Sequence, residues 1–272
     1  PDLLRKLPAV LREKKGAVTV TTFNGDILDI EAGDTTEHKY GMAFDIGTTS
    51  IVGGLLDLDS GEQLASVGDI NPQSVYGGDL MSRLAFAQFD LTNLRKLRVR
   101  AAQAINNQIK EACEKAAVSP EHIYKIVVVG NTAMHHIFLG IDPTYVGMAP
   151  YSPSIRNAIE MPARDLLLKT IPNATVCMLP IVAGFVGADA MGAVLATRIF
   201  ESEEIRVLID IGTNGEVIMG RKGRLMACSA PAGPALEGAQ IKHGMRGAIG
   251  AIEKVQIGDD VTCETIGNAP AA

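Results

Sequence analysis

One tetrapeptide occurs twice in this chain, each time between two apolar runs: Asp45-Ile46-Gly47-Thr48 and Asp210-Ile211-Gly212-Thr213. Residues 205–209 lead into the second copy and 217–219 follow it. The dipeptide Asn214-Gly215 is a strong signal for a two-residue hairpin, because a type I′ turn needs φ > 0 at both central positions. The first copy is followed by Thr49-Ser50 and the apolar run 51–56. Two hairpins of one form, about 165 residues apart, suggest a duplicated lobe.

The pattern suits phosphate and magnesium. A glycine lets the backbone approach closely, turn N–H groups point at oxygens, and a carboxylate at a strand end holds the cation or its waters. Asp45 and Asp210 are therefore candidate magnesium ligands, acting through water. Gly47, Thr48, Thr49 and Ser50 would contact phosphate from one loop, and Gly212, Thr213, Asn214 and Gly215 from the other. Glu216 could orient the attacking water or a magnesium-bound one. Either loop alone would equally suit an ordinary hairpin with a capping Asp. The pair argues for nucleotide.

Elsewhere, residues 126–129 form a β-branched run read as a strand buried on both faces. Gly130-Asn131-Thr132 and a helix over 133–139 follow. Asn131 could face an anion from that helix start or simply cap it. His135-His136 invites a metal reading, but neighbours on a helix point about 100° apart and make poor paired ligands. Residues 2–15 form an amphipathic helix that Pro8 should break or bend, and 17–30 form a hairpin turning at Asn24-Gly25. Three strands span 40–46, 51–58 and 62–70. Helices follow, one capped by Asp79 and a long one after Thr92. Residues 140–173 read as an irregular crossing with a short helix near 163–169, then a strand at 175–179. A small-residue helix spans 184–197. A second meander occupies 205–211, 216–220 and 223–229, then come a helix at 235–240 and strands at 249–257 and 261–266. The expected division is 1–38 as a small linker or preceding unit, 39–203 as a first lobe, and 204–272 as the start of a second, incomplete lobe.

With 47% apolar residues the chain can build a real core, and a net charge of −6 argues against a general nucleic-acid surface. There is no run of 18 apolar residues, so no membrane span is expected. Cys113, Cys177, Cys228 and Cys263 are scattered without a C-x-x-C, which reads as reduced thiols in a cytoplasmic protein.

This order of elements resembles the actin-like ATPase superfamily, an α/β fold of two RNase H-like lobes with mixed sheets flanked by helices. More narrowly, four stretches together resemble the reductive activators of corrinoid proteins. They are residues 44–49, 130–136, 210–216 and Ala232-Gly233-Pro234-Ala235-Leu236-Glu237-Gly238-Ala239. The resemblance implies ATP and Mg²⁺ bound in the cleft, with Gly233, Pro234 and Glu237 in a glycine turn and helix against the nucleotide. Asp45, Asp210 and Glu216 would carry the catalysis. It implies a corrinoid protein as partner, whose Co(II) is reduced with ATP in a methyltransferase system, and leaves a homodimer open. A [2Fe-2S] cluster is expected only in a ferredoxin-like domain of the full-length family protein, preceding this region. Two other functions are compatible: an actin-like small-molecule kinase, with Asp189 or Asp79 as base, and a non-hydrolysing partner-docking module.

Overall fold

Apolar residues recurring every three or four positions make α3 (Leu91–Ala116) the main support of the first unit. The Asp90 side chain accepts the Thr92 N–H at 2.9 Å and starts the helix, and Ala117, in the left-handed region at φ 53°, ends it. Leu94, Leu97, Ala101, Ile105, Ile109 and Ala112 are buried along one stripe, which packs on β4 (Ser50–Asp57) and β5 (Gln63–Ile70). The computed structural model describes residues 2–88, 90–212, 214–231, 243–245, 250–258 and 260–271.

The chain divides into two compact units, Pro1–Gly192 and Ala193–Ala272. In the first, α1 (Asp2–Glu13) packs on the hairpin of β1 (Val18–Phe23) and β2 (Asp26–Ala32). Asn24 and Gly25 both have positive φ, 52° and 88°, as a type I′ turn requires. α1 runs through Pro8 without a break. The carbonyl that Pro8 leaves without a donor belongs to Leu4, which is 72% exposed, so water can take the place of the lost N–H. Glu31 of β2 fastens this unit to the main sheet. It accepts the Tyr124 hydroxyl at 2.5 Å and lies 3.3 Å from His122 Nε2.

The main sheet has six strands in the order β5-β4-β3-β6-β8-β7. β3 (Tyr40–Ile46), β4 and β5 are an antiparallel meander. β6 (Ile123–Gly130) and β8 (Thr175–Met178) add in parallel, and β7 (Ile159–Pro162) closes the edge antiparallel. Reading 140–173 as a crossing overlooked β7, four residues ending at a proline, too short to show a period. β6 is fully buried on one face and half-buried on the other along 125–129, so it is less symmetrically covered than its β-branched run suggested. Between the meander and β6 lie α2 (Leu80–Gln88) and α3, and α4 (Thr132–Leu139) follows β6. The small-residue helix, α5 (Ala188–Thr197), starts later than expected. Residues 182–186 are held in a tight turn by the Val182 and Ala183 N–H groups, both 3.0 Å from the Val186 carbonyl.

The second unit contains the sheet β11-β10-β9, formed by β9 (Arg206–Ile211), β10 (Asn214–Arg221) and β11 (Arg224–Pro231). It also contains the ribbon of β12 (Ile252–Ile257) and β13 (Val261–Thr265). The helix expected at 235–240 lies outside the described residues. The hairpin is not the one that Asn214-Gly215 signals. Gly215 pairs with Ile211 and Glu216 with Asp210, so Gly215 is already within the ladder and the dipeptide is not the two-residue turn.

Ile105 is completely buried beneath the sheet. Ile105→Ala should lower the unfolding free energy by about 2–5 kcal/mol, read from urea midpoints at constant slope.

Candidate functional site

The first loop is held from beneath by buried amides. Ile46 pairs with Ile51, leaving the four residues Gly47, Thr48, Thr49 and Ser50 to turn, with Asp45 paired to Val52 just inside. A Cβ on Gly47 would lie 2.8 Å from the Ser50 carbonyl oxygen, so no larger residue fits this turn. Asn71 follows β5 and is fully buried. Its N–H donates to the Thr49 carbonyl and its Nδ2 to the Gly47 carbonyl, both at 2.8 Å. Backbone groups of the loop are thus fixed from behind, while Asp45, Thr49 and Ser50 are exposed.

Asn131 does both of the things that its position allowed. Its Oδ1 caps α4 by accepting the Met134 N–H at 3.0 Å, and its Nδ2 donates to Thr48 Oγ1 at 3.0 Å. That second bond leaves the hydroxyl hydrogen of Thr48 for another acceptor. A third segment joins them. A Cβ on Gly187 would lie 2.6 Å from Asn131 Cα and 2.7 Å from Asp189 Oδ1. Asp189, half-buried at the start of α5, therefore stands beside the β6–α4 turn, a placement that its sequence neighbours did not reveal. Asp79 is a helix cap. It accepts the Ser82 N–H at 2.9 Å, and its bonds to Ser82 hold its pKa below the usual carboxylate range, which suits a cap better than a proton acceptor.

In the second unit the loop is one residue shorter. Gly212 donates its N–H to the Asn214 carbonyl at 3.0 Å. Asp210, Glu216 and Ser229 lie directly across from one another on the three strands and share one face of the sheet. Ser229 Oγ donates to Glu216 Oε1 at 3.0 Å. Burial pushes the pKa of Glu216 up, and the neighbouring charge of Asp210 pushes the same way against the Ser229 bond. A carboxyl so perturbed can take a proton from water or position it. Ser229 went unnoticed in the sequence because only strand register reveals it as the neighbour of Glu216. Thr213, Gly233, Pro234 and Glu237 lie outside the described residues.

The histidine pair is structural. His136 Nδ1–H donates to the Thr132 carbonyl at 2.8 Å, and Nε2 accepts the Ser154 N–H at 3.0 Å, which fixes a neutral tautomer. His135 is buried with neither ring nitrogen partnered. Burial, then the adjacent His136, pushes its pKa down to about 4. Among the described residues no three His, Cys, Asp or Glu side chains gather as a metal cage. The four cysteines are free, Cys113 buried, Cys177 half-buried, and Cys228 and Cys263 exposed.

Family models match the chain in three consecutive parts. Residues 1–37 match the RACo linker region, 40–202 the RACo middle region, and 204–272 the C-terminal domain of RACo, the ASKHA domain. The chain belongs to the RACo family. Its α/β fold, with a mixed sheet flanked by helices, is accordingly that of an actin-like ATPase. Against the "Corrinoid activation enzyme RamQ" of Eubacterium limosum it is 40% identical over 83% of this chain and 38% of that protein. Against the "[Co(II) methylated amine-specific corrinoid protein] reductase" of Methanosarcina barkeri it is 29% identical over 78% of this chain and 40% of that protein. A solved structure of a "Reductive activator for corrinoid,iron-sulfur protein" superposes with a TM-score of 0.85 at 39% identity, covering 100% of this chain and 44% of that one. This RACo-family chain thus spans less than half the length of these relatives.

His135 gives the fold a pH dependence of known sign. Its folded pKa lies below the ordinary 6.5, so its contribution is complete above pH 6.5 and is lost as the pH falls towards about 4. The loss attributable to this residue should approach about 3 kcal/mol. Urea unfolding at pH 7, 5.5 and 4 should show it, with a shallower decline in His135→Leu.

Proposed function

We propose that this chain is the ATP-binding and hydrolysing portion of an activator that couples ATP to the reduction of Co(II) in an inactivated corrinoid protein of a methyltransferase system. The observation that carries the reading is the recurrence of an Asp-Ile-Gly-Thr hairpin in each unit, with Asp45 and Asp210 at corresponding strand ends. Membership of the RACo family supports it, as do relatives named for corrinoid activation and for reduction of a Co(II) corrinoid protein.

In this reading the backbone and hydroxyl groups of Gly47, Thr48, Thr49 and Ser50 receive phosphate oxygens, as do those of Gly212, Thr213, Asn214 and Gly215. Asn71 and Asn131 keep the first of these loops in shape. Asp45 and Asp210 hold magnesium-bound water. Magnesium, when bound, neutralises charge on the phosphates. Glu216, its pKa raised by burial, orients the attacking water and takes its proton, with Ser229 fixing the carboxylate. Gly233, Pro234 and Glu237 complete the nucleotide contacts. The electron is carried by the [2Fe-2S] domain of the full-length protein, and the corrinoid protein is the partner. The linker, first lobe and second-lobe divisions at 1–38, 39–203 and 204–272 are the working domain limits. A cytoplasmic setting agrees with four free thiols, and among the described residues no helix is long and apolar enough to cross a membrane.

Calorimetric titration of the full-length protein with Mg-ATP tests the binding part. Asp45→Ala and Asp210→Ala should each weaken binding about tenfold or more, since each removes a carboxylate that positions the cation. Unchanged affinity in both would remove the two-loop reading. Glu216→Gln should bind Mg-ATP normally but hydrolyse it about 100-fold more slowly. In the wild type, kcat should rise with pH through the raised pKa of Glu216, because the base acts only when ionised, and this limb should vanish in Glu216→Gln.

A further inference from the structure

Holding a turn in place does not require a buried cation, yet one lies beneath the first loop. Arg83 of α2 has no exposed surface. Its Nε donates to the Gly77 carbonyl at 2.9 Å, and Nη1 lies 3.5 Å from Gln73 Oε1 and 3.7 Å from Met134 Sδ. Nη2 has no partner at all. None of these contacts is a carboxylate. The acid that acts on it, Asp79, is exposed and already spends its oxygen on Ser82. Burial pushes the pKa of Arg83 down to about 10, which still leaves it charged at neutral pH.

A buried charge without a counter-charge is costly, and the cost falls when an anion comes within its field. The path from the guanidinium to the loop is short. Gln73 Oε1, which faces Arg83, lies 3.3 Å from Asn71 Nδ2, and that nitrogen is 2.8 Å from the Gly47 carbonyl. Met134 Sδ touches both side chains, 3.9 Å from Asn71 Nδ2. Gln73 is itself tied to α3 through the Leu97 carbonyl at 3.0 Å. Two side-chain amides, those of Gln73 and Asn71, therefore link a buried cation to the backbone of the loop. Little water intervenes to screen it, since Asn71, Gln73, Arg83 and Met134 are all buried.

We propose that Arg83 is the electrostatic backing of the first loop, a positioning residue that never touches the nucleotide but favours polyphosphate there in proportion to its charge. The Gly77 carbonyl and Gln73 hold the guanidinium, and Asn71 links Gln73 to Gly47. The inference rests on the nucleotide reading above and adds a source of discrimination: the site should weigh the charge of its ligand more heavily than the hydrogen bonds of the loop alone would.

The test is calorimetric titration of the full-length wild type, Arg83→Met, Arg83→Gln and Arg83→Lys with Mg-ATP and Mg-ADP, alongside thermal melting of each apoprotein. Arg83→Met should weaken Mg-ATP by about tenfold or more and Mg-ADP, whose complex carries one negative charge less, by a smaller factor, and Arg83→Lys should recover most of the loss. The apoprotein of Arg83→Met should melt no earlier than wild type, because a buried uncompensated charge has been removed. Equal losses for the two nucleotides, or none, would overturn the inference while leaving the nucleotide reading intact. So would a charge that proves necessary for folding, with both neutral variants unfolded and Arg83→Lys folded. Absence of Mg-ATP binding by the wild type would overturn the nucleotide reading and this inference with it.

Discussion

The amide of Asn71, paired with the Gly47 and Thr49 carbonyls from a fully buried position, is the contact on which the first half of the site depends. A four-residue turn has backbone carbonyls that the sheet ladder cannot satisfy. Buried carbonyls without donors are costly, so a donor must be built from behind. Asn71 supplies it with both its backbone and its side chain, and Gln73 and α3 support Asn71 in turn. The outer groups of the loop are thereby left to ligand while its shape is fixed by the core.

The two loops are alike in sequence and differently engineered in structure. The first turns over four residues and is braced by Asn71 and Asn131. The second has Gly215 opposite Ile211 and Glu216 opposite Asp210, with Ser229 bonded to Glu216 from the next strand. One residue of loop length changes which side chain stands opposite the aspartate: Val52 in the first, Glu216 in the second. An apolar partner suits a loop that only binds. A carboxylate with a raised pKa suits one that also handles a proton. The two similar tetrapeptides thus stand in turns with different neighbours.

Much of the architecture was legible before any coordinates. α3 announced itself through its apolar period, and β3 to β5 through short apolar runs. Asp79 and Asn131 announced themselves as caps, because capping is local: the side chain bonds a backbone N–H within three residues. The errors were local as well. Pro8 sits inside a helix because solvent can satisfy the freed carbonyl. Asn214-Gly215 does not form the turn because strand register overrides a dipeptide preference. β7 is too short to display a period and is defined by its antiparallel pairing with β8.

From sequence alone came the α/β class, the actin-like family and the two aspartate hairpins, since each rests on residues close together in the chain. The tertiary structure alone decided the rest: Asn71 under Gly47, Asn131 bonded to Thr48 across 83 positions, Asp189 beside Gly187 and Asn131, and Ser229 against Glu216. It also decided that Arg83 and His135 are buried with polar atoms unpartnered. These facts depend on which distant segments the sheet register and helix packing bring into contact. Register is fixed by the burial of whole faces rather than by any residue's neighbours.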